Sequence, residues 1–163
     1  MNQLAAQVGA ALKAHGMMLV TAESCTGGGV ACAVTEIEGS SAWFDRGFVT
    51  YSNQAKVDML GVSPGTLARF GAVSEATVRE MVAGALRNSQ AQIALAVSGI
   101  AGPGGGTVEK PVGTVWFAWG LKDNVSVARR YQFAGNRAEI RTQAVHIALQ
   151  GMVELLENRT ETA

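Results

Sequence analysis

Apolar and polar positions recur along this chain with two different periods, and the changes of period mark out its elements. In residues 2–14, Leu4, Val8, Ala11 and Leu12 fall at the three- and four-residue spacing of one helix face, and Gly16 supplies a C-terminal stop. Residues 17–21 form a short apolar run that predicts a strand. A second helix is expected to begin near Ser24 or Cys25 and to run to about Glu36. Its glycines make it a poor helix by propensity, so close approach to a ligand or tight packing on a sheet must justify them. Gly39-Ser40-Ser41 reads as a loop, Trp43 and Phe44 are expected to face inward, and residues 47–51 predict a strand. Ser52-Asn53-Gln54-Ala55-Lys56 opens a short helix that closes at Gly61. Ser63-Pro64, a serine cap with proline in the first turn, opens another that ends by Gly71. Ser74-Glu75 caps a longer helix reaching about Asn88, with Val78, Met81, Val82 and Leu86 on one face.

The run 93–97 is continuously apolar and short, the pattern of a strand covered on both faces. It leads into the small-residue loop 98–107. Two strands, 112–120 and 125–133, follow as a hairpin joined at Lys122-Asp123-Asn124. The last helix is expected over 137–158, with Asn136 and Glu139 at capping-box spacing, and the polar tail 159–163 is expected to fray. No internal repeat is present. Early strand–helix units and a late hairpin predict an α/β fold, a three-layer α/β/α arrangement with helices on both faces of a mixed sheet. At 163 residues the expectation is a single domain, 1–163.

Composition narrows the function classes. Apolar residues are 48% and charged residues 16%, so a substantial core can be buried. Thirteen basic residues balance thirteen acidic ones. That balance argues against a protein devoted to coating nucleic acid or an anionic membrane, and it makes a homodimer or higher homo-oligomer plausible. The N-terminus lacks a basic segment followed by a long apolar core, so it does not read as a signal peptide, and no apolar run is long enough to span a bilayer. If Cys25 and Cys32 share the second helix, roughly 10 Å of rise separates them, too far for a disulfide. Free thiols suit a reducing cytoplasm.

Chemistry concentrates in the two small-residue loops, residues 21–29 and 98–107. Each follows a predicted strand, and open α/β sheets bind ligands beyond the carboxyl ends of their strands, so the two are expected to wall one pocket. Neither loop has a Walker A ending, and Gly27-x-Gly29 is followed by Cys32 where a dinucleotide fingerprint needs its third glycine. Ser24 and Cys25 are the candidate nucleophiles, at an expected helix start where N–H groups and the dipole favour an anion. The two histidines, His15 and His146, lack partner motifs, which disfavours a Ser-His-Asp triad. Of the four lysines, Lys56 is the best placed to act as a base, because Val57, Met59 and Leu60 adjoin it and burial would depress its pKa. Arg137 and Arg141 share one face at the start of the last helix. Cations there oppose the helix dipole, so they read either as a phosphate or carboxylate clamp or as a solvated face.

Five ordered stretches together resemble a known family. They are Thr21-Ala22-Glu23-Ser24-Cys25-Thr26-Gly27-Gly28, residues 39–56 from Gly39-Ser40-Ser41 to Asn53-Gln54-Ala55-Lys56, Gly71-Ala72-Val73-Ser74-Glu75, Val97-Ser98-Gly99-Ile100-Ala101-Gly102-Pro103-Gly104-Gly105, and Lys110-Pro111-Val112-Gly113-Thr114-Val115. Over nearly the whole chain they are similar to the CinA C-terminal domain family, in its stand-alone form the deamidases of nicotinamide mononucleotide. The resemblance implies hydrolysis of that nucleotide's amide to the acid and ammonia in pyridine nucleotide recycling. It also implies an α/β/α fold, usually a homo-oligomer, and no metal or other cofactor. Larger members carry an additional N-terminal domain, for which this chain has no room. Carried onto this sequence, the resemblance makes Ser24 the nucleophile and Lys56 its base. Tyr51 and Asn53 would then orient Lys56 or the amide, and N–H groups after Ser24, in Thr26, Gly27 and Gly28, would face the oxyanion. Gly99, Gly102 and Gly105 would let backbone close over the ligand. Arg137 or Arg141 holding the mononucleotide phosphate is an inference from charge placement alone.

Overall fold

The computed structural model describes residues 1–162, with side chains through Arg159. The element order is α1 (Asn2–His15), β1 (Leu19–Glu23), α2 (Gly29–Thr35), a 3-10 turn (Ser40–Ala42), β2 (Phe44–Val49), α3 (Asn53–Leu60), α4 (Pro64–Phe70), α5 (Glu75–Arg87), β3 (Ile93–Gly99), β4 (Thr114–Leu121), β5 (Val127–Gln132) and α6 (Arg137–Thr162). The strands form one mixed sheet in the order β2-β1-β3-β4-β5. β1 runs parallel to both neighbours, β3 pairs antiparallel with β4, and β4 pairs antiparallel with β5 as the hairpin pattern predicts.

The two faces of the sheet are filled differently. On one side Leu19, Ile93, Leu95, Val97, Phe117 and Trp119 meet α1, α2 and α6 through Val8, Leu12, Val34, Leu149 and Met152. On the other side the strands offer mainly alanines, Ala22, Ala94, Ala96 and Ala118, and α5 packs there through Val78, Met81 and Ala85, with Leu60 of α3 beside it. Period-2 alternation in a strand buried on both faces sends large residues one way and small ones the other. This is the expected three-layer α/β/α arrangement.

Several boundaries differ from the expectation. α2 starts at Gly29, not at Ser24 or Cys25, and ends at Thr35. Residues 24–28 form tight turns instead: the Gly27 N–H donates to Ser24 O, and the Gly29 N–H to Thr26 O. Gly27 and Gly28 have φ of 59° and 98°, a region in which side chains other than hydrogen are strained. Cys25 therefore lies off the helix and is buried, Cys32 is exposed on it, and both thiols are free. β2 begins at Phe44 and stops at Val49 because its pairing with β1 runs from Leu19 with Phe44 to Glu23 with Val49. Trp43 is buried and Phe44 half-buried. α6 continues through Thr162, past the expected frayed tail, of which Ala163 lies outside the described residues. Asn136 caps α6, its Oδ1 accepting the Glu139 N–H at 2.9 Å.

Candidate active site

The three parallel strands end side by side. Glu23 of β1 pairs with Val49 of β2 and with Val97 of β3, so the residues that follow each strand emerge along one edge. The Ser24 N–H extends the ladder by donating to Val97 O at 3.0 Å. Below it, the Glu23 carboxylate is almost fully buried and accepts from Thr26 Oγ1 (2.6 Å) and the N–H groups of Val30 (2.8 Å) and Ala31 (3.0 Å). An acid at the end of one element thus satisfies the orphan donors at the start of the next, and the turn between them is held with Ser24 at its head.

Lys56 approaches from the neighbouring strand. The Thr50 N–H donates to Glu23 O at 2.8 Å, and Ser52 caps α3 by accepting the Ala55 N–H at 3.0 Å. The first turn of α3 then sends Lys56 inward, where it is 1% exposed. Its Nζ donates to Thr50 O (2.8 Å), Tyr51 O (3.3 Å) and Ser24 Oγ (3.0 Å). No carboxylate lies within ion-pair distance of it among the described residues. Burial without a counter-ion lowers its pKa from 10.5 to about 8, with the neighbouring Cys25 acting the other way. In the neutral amine two N–H bonds match the two carbonyls, and the remaining lone pair faces the serine hydroxyl. That is the arrangement of a general base on a nucleophile.

Cys25 is a poor competitor. Burial, with lesser contributions from neighbouring charges and its own N–H, leaves its thiol pushed up to about 11. It is protonated at neutral pH, when a thiol nucleophile must be ionised.

Ser24, Cys25 and Lys56 open onto a cavity of about 300 Å³, the lower end of the range for small-ligand sites. Its opposite wall is the second glycine loop, Ser98 through Gly102 with Gly104 and Gly105, so both loops face one cavity as strand-end topology predicts. Ala72 and Val73 close the apolar side, and Tyr51 and Arg137 the rim. Arg137 Nη1 donates to Gly102 O at 2.8 Å and Nη2 to Tyr51 Oη at 3.1 Å, tying the second loop to the segment between β2 and α3. Tyr51 is exposed at its ring and reaches Lys56 only through its main-chain oxygen.

Other expected site residues lie outside the cavity wall. Thr26 is buried against Glu23, and Gly27 and Gly28 shape the turn beneath. Asn53 is exposed at the start of α3, in a separate shallow depression with Pro64 and Leu67. Arg141 turns away from the cavity, Nε donating to Cys25 O (3.0 Å) and Nη2 to Thr26 O (3.4 Å). Neither His15 nor His146 lines the cavity. A second cavity of about 290 Å³, between α5 and the β4–β5 hairpin, carries Arg79, Arg87 and Lys122 but no group placed as a nucleophile with its base. Among the described residues no three His, Cys, Asp or Glu side chains converge as a metal site. Ser98 lies in the loop expected to wall the pocket, whereas residue pattern assigned no individual role to Glu23, Ala72 or Val73. An acid inside an otherwise apolar strand was the available signal for Glu23, and nothing in composition singles out Ala72 or Val73.

Known proteins match along almost the whole length. The CinA C-terminal domain model matches residues 1–156. The nicotinamide-nucleotide amidohydrolase PncC of Enterobacter agglomerans is 54% identical, over 97% of this chain and 97% of that protein. The protein of the same name from Escherichia coli K12 is 58% identical, over 91% and 90%. Among solved structures, the competence/damage inducible protein CihA of Agrobacterium tumefaciens superposes with a TM-score of 0.91 at 49% identity, over 96% of this chain and 94% of that one. The competence damage-inducible protein A of Klebsiella pneumoniae gives 0.92 at 46% identity, over 96% of each. The chain belongs to the CinA C-terminal domain family.

Proposed function

We propose that this protein is a nicotinamide-nucleotide amidohydrolase that converts nicotinamide mononucleotide to nicotinate mononucleotide and ammonia. The observation that carries the reading is the buried, uncompensated Lys56 amine 3.0 Å from Ser24 Oγ at the floor of the cavity. The names of relatives at 54% and 58% identity supply the substrate. Neutral Lys56 takes the Ser24 proton as Oγ attacks the carboxamide carbon. The resulting ammonium of Lys56 returns that proton to the departing nitrogen, so ammonia leaves and an acyl-serine remains. Water then attacks the ester carbonyl, giving its proton to Lys56, and collapse restores Ser24 and frees the acid. N–H groups of the turn after Ser24 receive the oxyanion. Arg137, at the rim, holds the phosphate, and the glycines of the second loop let backbone lie close to the ligand.

The same reading places the protein in the cytoplasm, as one domain over residues 1–163 that works as a homo-oligomer without metal or other cofactor. Sedimentation measures the assembly state directly. Ammonia release from nicotinamide mononucleotide by wild type, Ser24→Ala, Lys56→Ala and Cys25→Ala tests the chemistry. Turnover is expected from wild type and Cys25→Ala only. Full activity in Ser24→Ala would end the serine mechanism, and a folded wild type that binds the nucleotide without turnover would make the protein a binding module.

A further inference from the structure

We propose that Arg141 is a positioning residue that aims the Thr26 N–H at the reacting carbonyl, and not a phosphate ligand. The inference rests on the amidohydrolase reading above. Arg141 projects from α6 across the turn and is exposed to solvent at its outer side. Its Nε donates to Cys25 O at 3.0 Å and its Nη2 to Thr26 O at 3.4 Å, so two neighbouring carbonyls are drawn to the same side of the turn. In a trans peptide the C=O and N–H point in opposite directions. The Cys25 carbonyl and the Thr26 N–H belong to one peptide unit, so fixing the first toward Arg141 sends the second the other way.

That N–H is an orphan. Thr26 is 2% exposed and adjoins Cys25, which lines the cavity; among the described residues its N–H, like those of Cys25 and Gly28, donates to no acceptor in another residue, whereas the Ser24, Gly27 and Gly29 N–H groups do. A buried unpaired N–H is rare in folded proteins, and one two residues beyond a nucleophile fits a donor kept free for a transient oxyanion. The Thr26 side chain is fixed separately by Glu23, so the peptide is held from both ends. Gly27 is called for by its backbone at φ 59°; a Cβ there would meet Arg141 Nη2 at ordinary contact distance.

The test compares wild type with Arg141→Ala, Arg141→Gln and Arg141→Lys for nicotinamide mononucleotide, and measures inhibition of each by the analogue whose carboxamide is an aldehyde. Ser24 would add to the aldehyde and give a tetrahedral oxygen in the oxyanion position. Arg141→Ala and Arg141→Gln should lower kcat by at least tenfold, part of the hundredfold or more that follows outright loss of such a donor, with KM changed less than threefold. Aldehyde affinity should fall in proportion to kcat/KM, and Arg141→Lys, with a single ammonium in place of the fork, should recover only part. Wild-type kcat in Arg141→Ala, an effect confined to KM, or a loss of kcat that aldehyde affinity does not follow would each overturn the assignment. Failure of wild type to release ammonia would instead overturn the amidohydrolase reading, and this one with it.

Discussion

Replacing Lys56 by methionine should separate what the lysine does for catalysis from what its burial costs the fold. Its pKa is lowered from 10.5 to about 8 in the folded chain because burial penalises the ammonium. The unfolded chain keeps the ordinary value, so between about pH 8 and 10.5 it binds a proton that the native state does not. Stability therefore rises with pH across that window, and below it the whole penalty is present. Two and a half units correspond to about 3 kcal/mol. Methionine has similar length and no charge, but it removes the donor to Thr50 O and to Ser24 Oγ and leaves Tyr51 O only the Ser24 hydroxyl at 3.4 Å, at roughly 1 kcal/mol or more for each bond lost. The absolute stability of Lys56→Met at pH 7 is thus a near-balance. The pH dependence is free of that offset, because the lost hydrogen bonds do not titrate. Urea denaturation of both proteins at several pH values gives the difference directly: wild type should gain about 3 kcal/mol on Lys56→Met between pH 7.5 and 10.5. In parallel, kcat/KM of wild type should climb with pH to a plateau above about 8, as the neutral amine forms, and Lys56→Met should lose about 10²–10⁴-fold. A stability difference that is flat or falls with pH would mean that Lys56 is not depressed, and a pH-independent rate below pH 8 would remove it as the base.

Three further perturbations address the surroundings. Cys25→Ala should keep kcat within a few-fold, and iodoacetamide at pH 8 should label exposed Cys32 and spare Cys25, whose thiol is pushed up to about 11; inactivation by a label at Cys25 alone would contradict this. Glu23→Gln offers the Val30 and Ala31 N–H groups and the Thr26 hydroxyl a neutral amide in place of two carboxylate oxygens, and should cost about 2 kcal/mol, read as a Tm lower by roughly 4–8 °C; an unchanged Tm would show that the turn is held otherwise. Arg137→Ala should raise KM for the mononucleotide about tenfold or more with a smaller change in kcat, and should leave hydrolysis of the phosphate-free riboside unaffected; equal losses on both substrates would exclude a phosphate contact.

Long periodic segments were legible in the sequence, because burial on one face leaves a period that residue order displays. α5, with Val78, Met81 and Val82 inward, is an example, and so are the hairpin strands and the serine caps of α3, α4 and α5. The start of α2 was not. Ser24 has the identity and position of an N-cap, but the capping is done by Glu23, seven residues ahead of the N–H it satisfies, and local pattern does not register a cap delivered from a strand. Arg137 and Arg141 illustrate a second limit. Spacing of four places both on one face, yet one turn of rise is enough to put the first at the cavity rim and the second on the turn after Ser24. Ala72 and Val73 reach the cavity from the segment between α4 and α5, and their placement is a property of the layers, not of their own neighbours in sequence.

The juxtaposition of Ser24 and Lys56 depends on a single strand pairing. The lysine's surroundings are local: Thr50 O and Tyr51 O accept from a residue five and six positions on, and the Ser52 cap fixes the path between them. The serine's surroundings are local too, built from Glu23 and the turn. What joins the halves is the parallel register of β1 and β2, which shifts between Leu19 and Val20 and then runs without interruption from Val20 with Arg46 to Glu23 with Val49. A slip by one residue would move the strand end by about 3.3 Å and send alternate side chains to the opposite face, more than the 3.0 Å contact can absorb. The irregularity lies at the Leu19 end, where the Leu19 N–H donates to Trp43 O, and the register at the Glu23 end, next to Ser24, is unbroken. A lysine without a carboxylate partner suits such a junction, because a base whose pKa is set by burial stays tuned only while the two strand ends remain packed together.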